Sequence, residues 1–240
     1  MATKPSRSAR EERRSTLKLL GGAGIAAVAI AGGVVGIVQM MPARTMGTGR
    51  TLVETLNDAN LGPHILPLRG EGAPDVIVIG SSDCGFCRSM VAEGLETLIS
   101  VAEELDLTVG YLGVATGRGS MASMQALDCL RDAPDPVAAL RATYALSAEI
   151  SAGGFADGLI PDRIQAIMDE QGVEGTAMSC WKGLDSVEAS ARARTISEAF
   201  AITGTPSFYV ASEADPREIR VFSGFGGAAS MARQIRNSRA

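Results

Sequence analysis

One stretch limits what this chain can fold into more than any other: Asp75-Val-Ile-Val-Ile-Gly-Ser-Ser-Asp-Cys-Gly-Phe-Cys-Arg-Ser-Met90, a short apolar run leading into a Cys-x-x-Cys. Val76 to Ile79 is β-branched throughout, the pattern of a central strand covered on both faces. Gly80 to Asp83 break it. Beyond them Phe86, Met90, Val91, Leu95, Leu98, Ile99, Ala102 and Leu105 recur at helical spacing, which predicts one apolar face of a helix of about five to six turns. Cys84 then falls at the helix N-terminus, where unpaired N–H groups and the helix dipole favour a thiolate over a thiol. Cys87, three residues on, is placed to close a small disulfide ring with it.

Two cysteines at this spacing are also half of a zinc site. Zinc takes four ligands, and the other candidates are Cys129, Cys180, the single His64 and carboxylates, with no second close pair. A redox pair is favoured by a second, distant feature. In Ile202-Thr-Gly-Thr-Pro-Ser-Phe-Tyr-Val210 a helix is expected to end at Gly204 and a strand to begin at Ser207.

Together, Cys-x-x-Cys after a strand and Gly-Thr-Pro before one resemble the thioredoxin superfamily, over about residues 75 to 240. Asp83-Cys-Gly-Phe-Cys87 with Thr205 before Pro206 looks most like the catalytic domain of the periplasmic DsbC/DsbG disulfide isomerases, and next like the broader DsbA-like group. The resemblance implies an α/β fold, a thioredoxin-like mixed sheet with a helical insertion. It implies Cys84 as exposed nucleophile, Cys87 as resolving thiol, and Thr205 with a cis Pro206 facing the pair to bind substrate. Cys129 and Cys180 match a structural bridge of that family, and an even cysteine count outside the cytoplasm favours pairing. A second redox couple relaying electrons to Cys84 is the alternative.

Two departures from the family bear on direction. Gly85-Phe86 between the cysteines lacks the histidine of strongly oxidising relatives, and Val78 stands where a buried acid often serves as proton acceptor. Both argue against an extreme oxidant.

Charge divides the chain in two. Residues 1–18 carry Lys4, Arg7, Arg10, Arg13, Arg14 and Lys18 against Glu11 and Glu12, a net of +4, whereas the remainder is at −9. An acidic body argues against nucleic acid as a partner. Leu19 to Met41 is free of charged residues and long enough to span a bilayer. Met41 ahead of Ala43 makes a poor cleavage site, so an uncleaved anchor is favoured over an ordinary signal peptide. Arg13-Arg-Ser-Thr-Leu-Lys18 resembles a twin-arginine export signal, with Thr16 as a departure. Either reading puts the tip in the cytoplasm and the fold on the periplasmic side of a bacterial inner membrane. Gly32 and Gly36 have the spacing of a helix-packing motif, although in so glycine-rich a run composition accounts for it.

The expected domains are a basic cytoplasmic tip at 1–18, a transmembrane anchor or signal segment at 19–41, a linker and edge strand at 42–74, and the thioredoxin-like domain at 75–240. Ile65 to Leu68 is the edge strand, since Pro67 cannot donate to a central ladder. His64 beside it reads as a surface or linker residue. After the strand Leu107 to Leu112, helical spacing over Ser120–Arg131, Pro136–Ile150, Asp162–Gln171 and Ser186–Ile202 makes an insertion at about 116–202, with Asp185 and Glu188 in capping-box spacing. Strands Ser207–Ala211 and Glu218–Ser223 form a hairpin. A helix to about Asn237 follows, with Met231 and Ile235 on the sheet. Four or five strands are expected.

The leading expectation is a thiol–disulfide oxidoreductase acting on thiols or disulfides of exported proteins through Cys84 and Cys87, served by a membrane or periplasmic redox partner, with no cofactor and no metal. A strict DsbC-type isomerase is not expected, since about thirty residues between the apolar run and the core cannot supply that family's dimerisation domain. The alternatives are a dedicated thiol reductase for a cytochrome or copper-site apoprotein, and a copper-binding chaperone using Cys84, Cys87 and methionines such as Met90.

Overall fold

The computed structural model describes residues 43–47, 49–153, 161–173 and 184–240. The basic tip, the apolar run 19–41 and Cys180 lie outside them. The β-branched run forms strand β3 (Val76–Gly80), all of it buried. Its side chains alternate between two cores: Val76 and Val78 enter one, Ile77 and Ile79 the other, as the twofold period of a strand requires.

Strand β4 (Val109–Gly113) runs parallel to β3, with Tyr111 opposite Val78. On the other side β5 (Ser207–Ala211) runs antiparallel, with Phe208 opposite Val78. β6 (Ile219–Ser223) forms the expected hairpin with β5. β2 (Leu66–Arg69) closes one edge, and its register shifts between Pro67 and Arg69, as befits an edge strand holding a proline. The other edge is β1 (Arg44–Met46), which pairs with β6. Among the described residues the sheet is therefore mixed and six-stranded, in the order β1-β6-β5-β3-β4-β2. The strand beyond the four or five expected is β1, three exposed or half-exposed residues with no alternating pattern to announce it.

Residues 44–46 and 52–58 are built into the domain as a strand and a helix, where a linker ahead of the edge strand was expected. Helix α1 (Leu52–Asp58) opens with a capping box: the Thr51 N–H donates to Glu54 Oε2 at 2.8 Å and the Glu54 N–H to Thr51 Oγ1 at 3.1 Å. Its Leu52 and Leu56 share the second core with Ile77 and Ile79.

The long helix after the redox motif comes in three pieces: α2 (Gly85–Ser89), one π turn (Met90–Gly94) and α3 (Leu95–Glu104). Met90, Val91, Leu95, Leu98 and Ala102 lie in the first core as expected, but Phe86 does not: it is 48% exposed. The C-terminal helix α8 (Ala228–Arg239) seats Met231 and Ile235 in the same core.

Between β4 and β5 stand α4 (Arg118–Cys129), α5 (Pro136–Ser151), α6 (Pro161–Glu170) and α7 (Ser186–Phe200). The first three form the lobe. The fourth belongs to the sheet, for Ile196 and Phe200 complete the second core. Asp185 caps α7 by accepting from the Val187 and Glu188 N–H groups, both at 2.9 Å. The reciprocal half of the expected box is missing, because Glu188 turns to Arg192 at 2.6 Å and the Asp185 N–H donates to Gln125 Oε1 at 3.2 Å. His64 bonds Asp128 through Nδ1 at 3.0 Å, and Asp128 in turn holds the buried Arg192 at 2.8 Å. His64 thus ties the turn before β2 to α4 and α7.

Candidate active site

The chain leaves β3 through Gly80 and Ser81 and enters α2 with Cys84 as its N-cap residue, in extended conformation. The Arg88 guanidinium reaches back to the carbonyls of Ser82 at 3.2 Å and Asp83 at 3.1 Å, which fixes the turn that presents Cys84. Cys84 is half-buried, Cys87 is fully buried, and both thiols are free.

The peptide bond between Thr205 and Pro206 is cis. Thr205 faces the pair: the Cys84 thiol lies 3.2 Å from its carbonyl oxygen. Cys84 and Thr205, 121 positions apart in the chain, therefore meet. Gly85 and Phe86 are exposed beside them.

The two sulfurs differ in electrostatics. The Cys84 pKa is lowered to about 5, chiefly by the hydrogen bond from the Cys87 thiol. Burial opposes the shift, while the Thr205 side chain and the N–H groups of Cys87 and Phe86 add to it. These are the donors a helix N-terminus leaves unpaired. Cys87 moves the other way: burial pushes its thiol far up, and the neighbouring Cys84 reinforces this. The Ser81 N–H, 3.4 Å from the Cys87 sulfur, pulls only weakly against it. An accessible thiolate beside a buried, protonated thiol is what a two-step exchange needs.

Three of the site's supports were not anticipated from the sequence. Asp83 turns its carboxylate into the lobe, accepting from the Ser120 N–H at 3.0 Å, the Ser147 hydroxyl at 3.2 Å and the Ser151 hydroxyl at 3.4 Å. It thereby caps α4 from a distant strand end. Gly119 permits the approach, since a Cβ there would lie 2.6 Å from Asp83 Oδ1. Ser82 donates to the Ser123 hydroxyl at 2.9 Å, and Ser123 donates to the Thr143 carbonyl at 2.7 Å, linking the redox turn to α4 and α5. Behind the pair, the Tyr111 and Tyr144 hydroxyls are 2.9 Å apart. Cysteine spacing carried no signal for any of these.

The fold and the constellation can be set beside known structures. A periplasmic thioredoxin-like protein from Salmonella enterica serovar Typhimurium superposes with a TM-score of 0.50 at 15% identity, covering 79% of this chain and 99% of that one. The catalytic domain of Proteus mirabilis ScsC gives 0.50 at 14% identity, over 78% and 96%. This chain has a thioredoxin-like fold. A variant of Wolbachia pipientis alpha-DsbA1 agrees, with a TM-score of 0.51 at 13% identity over 74% and 92%. No protein-family profile matches the sequence, and no curated protein does.

In this thioredoxin fold Val78 sits in the first core, fully buried among apolar side chains. Cys129 is disulfide-bonded, and Cys180 lies outside the described residues. Among the described residues no cluster of three or more histidine, cysteine or carboxylate side chains is arranged to hold a metal, and no helix is long and apolar enough to cross a membrane. Met90, the methionine named for a copper site, is fully buried in the core.

Proposed function

We propose that this protein is a thiol–disulfide oxidoreductase that acts on exported proteins through Cys84 and Cys87. The observation that carries the reading is the opposed pair of sulfurs, with Cys84 lowered to about 5 at the mouth of the site and Cys87 protonated beneath it. In the oxidising direction a client thiolate attacks Cys84 of the disulfide form, and Cys87 leaves and takes up a proton. A second client thiol then attacks the client sulfur of the mixed disulfide and displaces Cys84 as its stabilised thiolate. Two electrons pass from client to protein, and the proton that the second client thiol gives up balances the one that Cys87 takes up, since Cys84 leaves as a thiolate. Run backwards, the same steps reduce a client disulfide.

Thr205 and Pro206 form the client-binding edge, where the Thr205 backbone accepts an extended segment as an added strand. Phe86, exposed beside Cys84, supplies apolar contact. Cys129 pairs with Cys180 as a structural bridge. The Salmonella neighbour is a periplasmic protein, which supports placing this domain in the periplasm, tethered by residues 19–41 and served by a separate redox partner. A dedicated reductase for one apoprotein client uses the same chemistry in the opposite direction.

The deciding experiment equilibrates the Cys84–Cys87 pair with glutathione buffers and follows its redox state. A dithiol stabilised as thiolate makes the disulfide the stronger oxidant, so the potential is expected between those of thioredoxin, about −270 mV, and DsbA, about −120 mV. A pair that forms no disulfide over that range sinks the proposal.

A further inference from the structure

Cys87 poses a problem that Cys84 does not. It is fully buried, and the resolving step requires it to become a thiolate there. In the mixed disulfide Cys84 carries no charge, so the hydrogen bond and the charge by which it pushes Cys87 up in the reduced protein both fall away. What then stabilises the Cys87 thiolate is what donates to its sulfur, and the Ser81 N–H does so at 3.4 Å. The charged side chains of the redox turn point elsewhere, Asp83 into the lobe and Arg88 onto the Ser82 and Asp83 carbonyls. Tyr111 on β4 and Tyr144 on α5 are held neutral by burial, and the Thr205 side chain ahead of β5 is uncharged.

The peptide unit that carries the Ser81 N–H is held at several points. Its carbonyl, that of Gly80, accepts from the Val114 N–H at 2.9 Å, just past the end of β4. This peptide is trans, so its carbonyl and N–H point in opposite directions, and Val114 fixes one end while the Cys87 sulfur lies at the other. A bond to the carbonyl also polarises the amide and makes its N–H a stronger donor. The Ser81 carbonyl accepts from the Cys84 N–H at 3.0 Å, and the buried Ser81 hydroxyl lies 2.6 Å from that of Thr116. Thr116 stands at the surface, where its N–H donates to Ser120 Oγ at 2.7 Å, and the Ser120 N–H donates to Asp83 at 3.0 Å. The turn after β4 thus grips the redox turn at Gly80, Ser81 and Asp83.

We propose that Thr116 is a positioning residue for the resolving step: its hydroxyl holds Ser81 so that the Gly80–Ser81 peptide keeps its N–H aimed at the Cys87 sulfur and stabilises the thiolate that forms there. This inference rests on the exchange chemistry proposed above. In the resolving step the Cys87 S–H bond breaks and its proton passes through solvent to the departing client thiolate. The Cys87–Cys84 bond forms as the Cys84–client bond breaks. One disulfide replaces another, and the Ser81 amide keeps its hydrogen throughout.

The test uses reduced protein and 5,5′-dithiobis(2-nitrobenzoate), which releases one coloured thiolate when Cys84 attacks and a second when Cys87 resolves. The first release is the internal reference, since neither Ser81 nor Thr116 is among the groups that shift Cys84. In Thr116→Val the ratio of the second rate to the first falls by roughly threefold to tenfold, as weakening of one hydrogen bond to a charged acceptor implies, and the pH midpoint of the second release moves up. Thr116→Ser keeps the hydroxyl and restores both. A merely structural role lowers the denaturant midpoint and leaves the ratio and the pH midpoint unchanged, which overturns the assignment, as does a Thr116→Ser variant as slow as Thr116→Val. Should Thr116→Val not fold, Ser81→Ala breaks the same hydroxyl pair from the other side and is expected to show the same fall; an unchanged ratio there overturns it. Wild-type protein that releases no second equivalent overturns the exchange reading as well, which separates the two failures.

Discussion

The Cys84 sulfur sits 3.2 Å from the Thr205 carbonyl oxygen. As a thiol, Cys84 donates to that oxygen. As a thiolate it has nothing to donate, and the Cys87 thiol, the Thr205 side chain and two helix N–H groups hold it instead. Ionisation therefore frees the Thr205 carbonyl just as Cys84 becomes reactive. In the proposed reaction a client N–H takes its place.

Cys84 alkylation by iodoacetamide is expected to follow a single ionisation with a midpoint near pH 5. Cys87→Ala removes the largest cause of the shift and moves the midpoint up toward the ordinary thiol value. The same shift is linked to stability. The folded pKa lies below the unfolded one, so the stabilisation of the reduced protein is present in full above the unfolded value of 9.0 and is lost as pH falls through about 5. Denaturant titrations of reduced wild type and Cys84→Ser should converge toward pH 5 and separate as pH rises. A constant difference between them contradicts the assignment.

Thr205→Val keeps the side chain's shape and removes its hydroxyl. It is expected to raise the Cys84 pKa by less than Cys87→Ala does, since the Thr205 contact is a smaller cause than the Cys87 one. Thiolate absorbance at 240 nm against pH measures both. An equal or larger rise in the Thr205 variant would show that the order of the two contacts is wrong.

The parts of this fold that chemistry marks in the sequence were legible there. The β-branched run, the helix it feeds and the Gly-Thr-Pro before a strand gave β3, α2 and the meeting of Cys84 with Thr205. Residues whose position depends on tertiary contact were not. Phe86 fits the helical spacing of its neighbours, yet in the first turn of the helix it stays exposed. Strand β1 is held by pairing with Ile219, Arg220 and Val221, and its own three residues have no apolar alternation. Asp83 looks like a loop residue beside a cysteine, because the helix it caps lies 37 positions away.

Asp83→Ala should release the lobe from the redox turn. It removes the acceptor for the Ser120 N–H and for the Ser147 and Ser151 hydroxyls. The expected loss is about 1–3 kcal/mol, in the range for a hydrogen-bonded carboxylate whose partners are left partly buried. Amide exchange should rise first at the start of α4. Asp83→Asn retains an acceptor oxygen and should lose less. If Asp83→Ala unfolds at the wild-type denaturant midpoint, the carboxylate is not the latch.

Cys129 lies at the end of α4 and is disulfide-bonded, whereas Cys84 and Cys87 are free. With Cys180 as the proposed partner, the bridge spans 51 positions of the chain. Loop-closure entropy for that length is worth about 4 kcal/mol, and residual structure in the unfolded lobe lowers it. Replacing both cysteines by Ala should therefore lower stability by roughly 2–4 kcal/mol, with thermal unfolding as the readout. Release of both coloured thiolates from 5,5′-dithiobis(2-nitrobenzoate) by reduced Cys84 and Cys87 should continue at wild-type rates, because Cys129 is not among the groups that shift either thiol. The opposite outcome, exchange abolished at unchanged stability, would make Cys129 and Cys180 a second redox couple that passes electrons to Cys84.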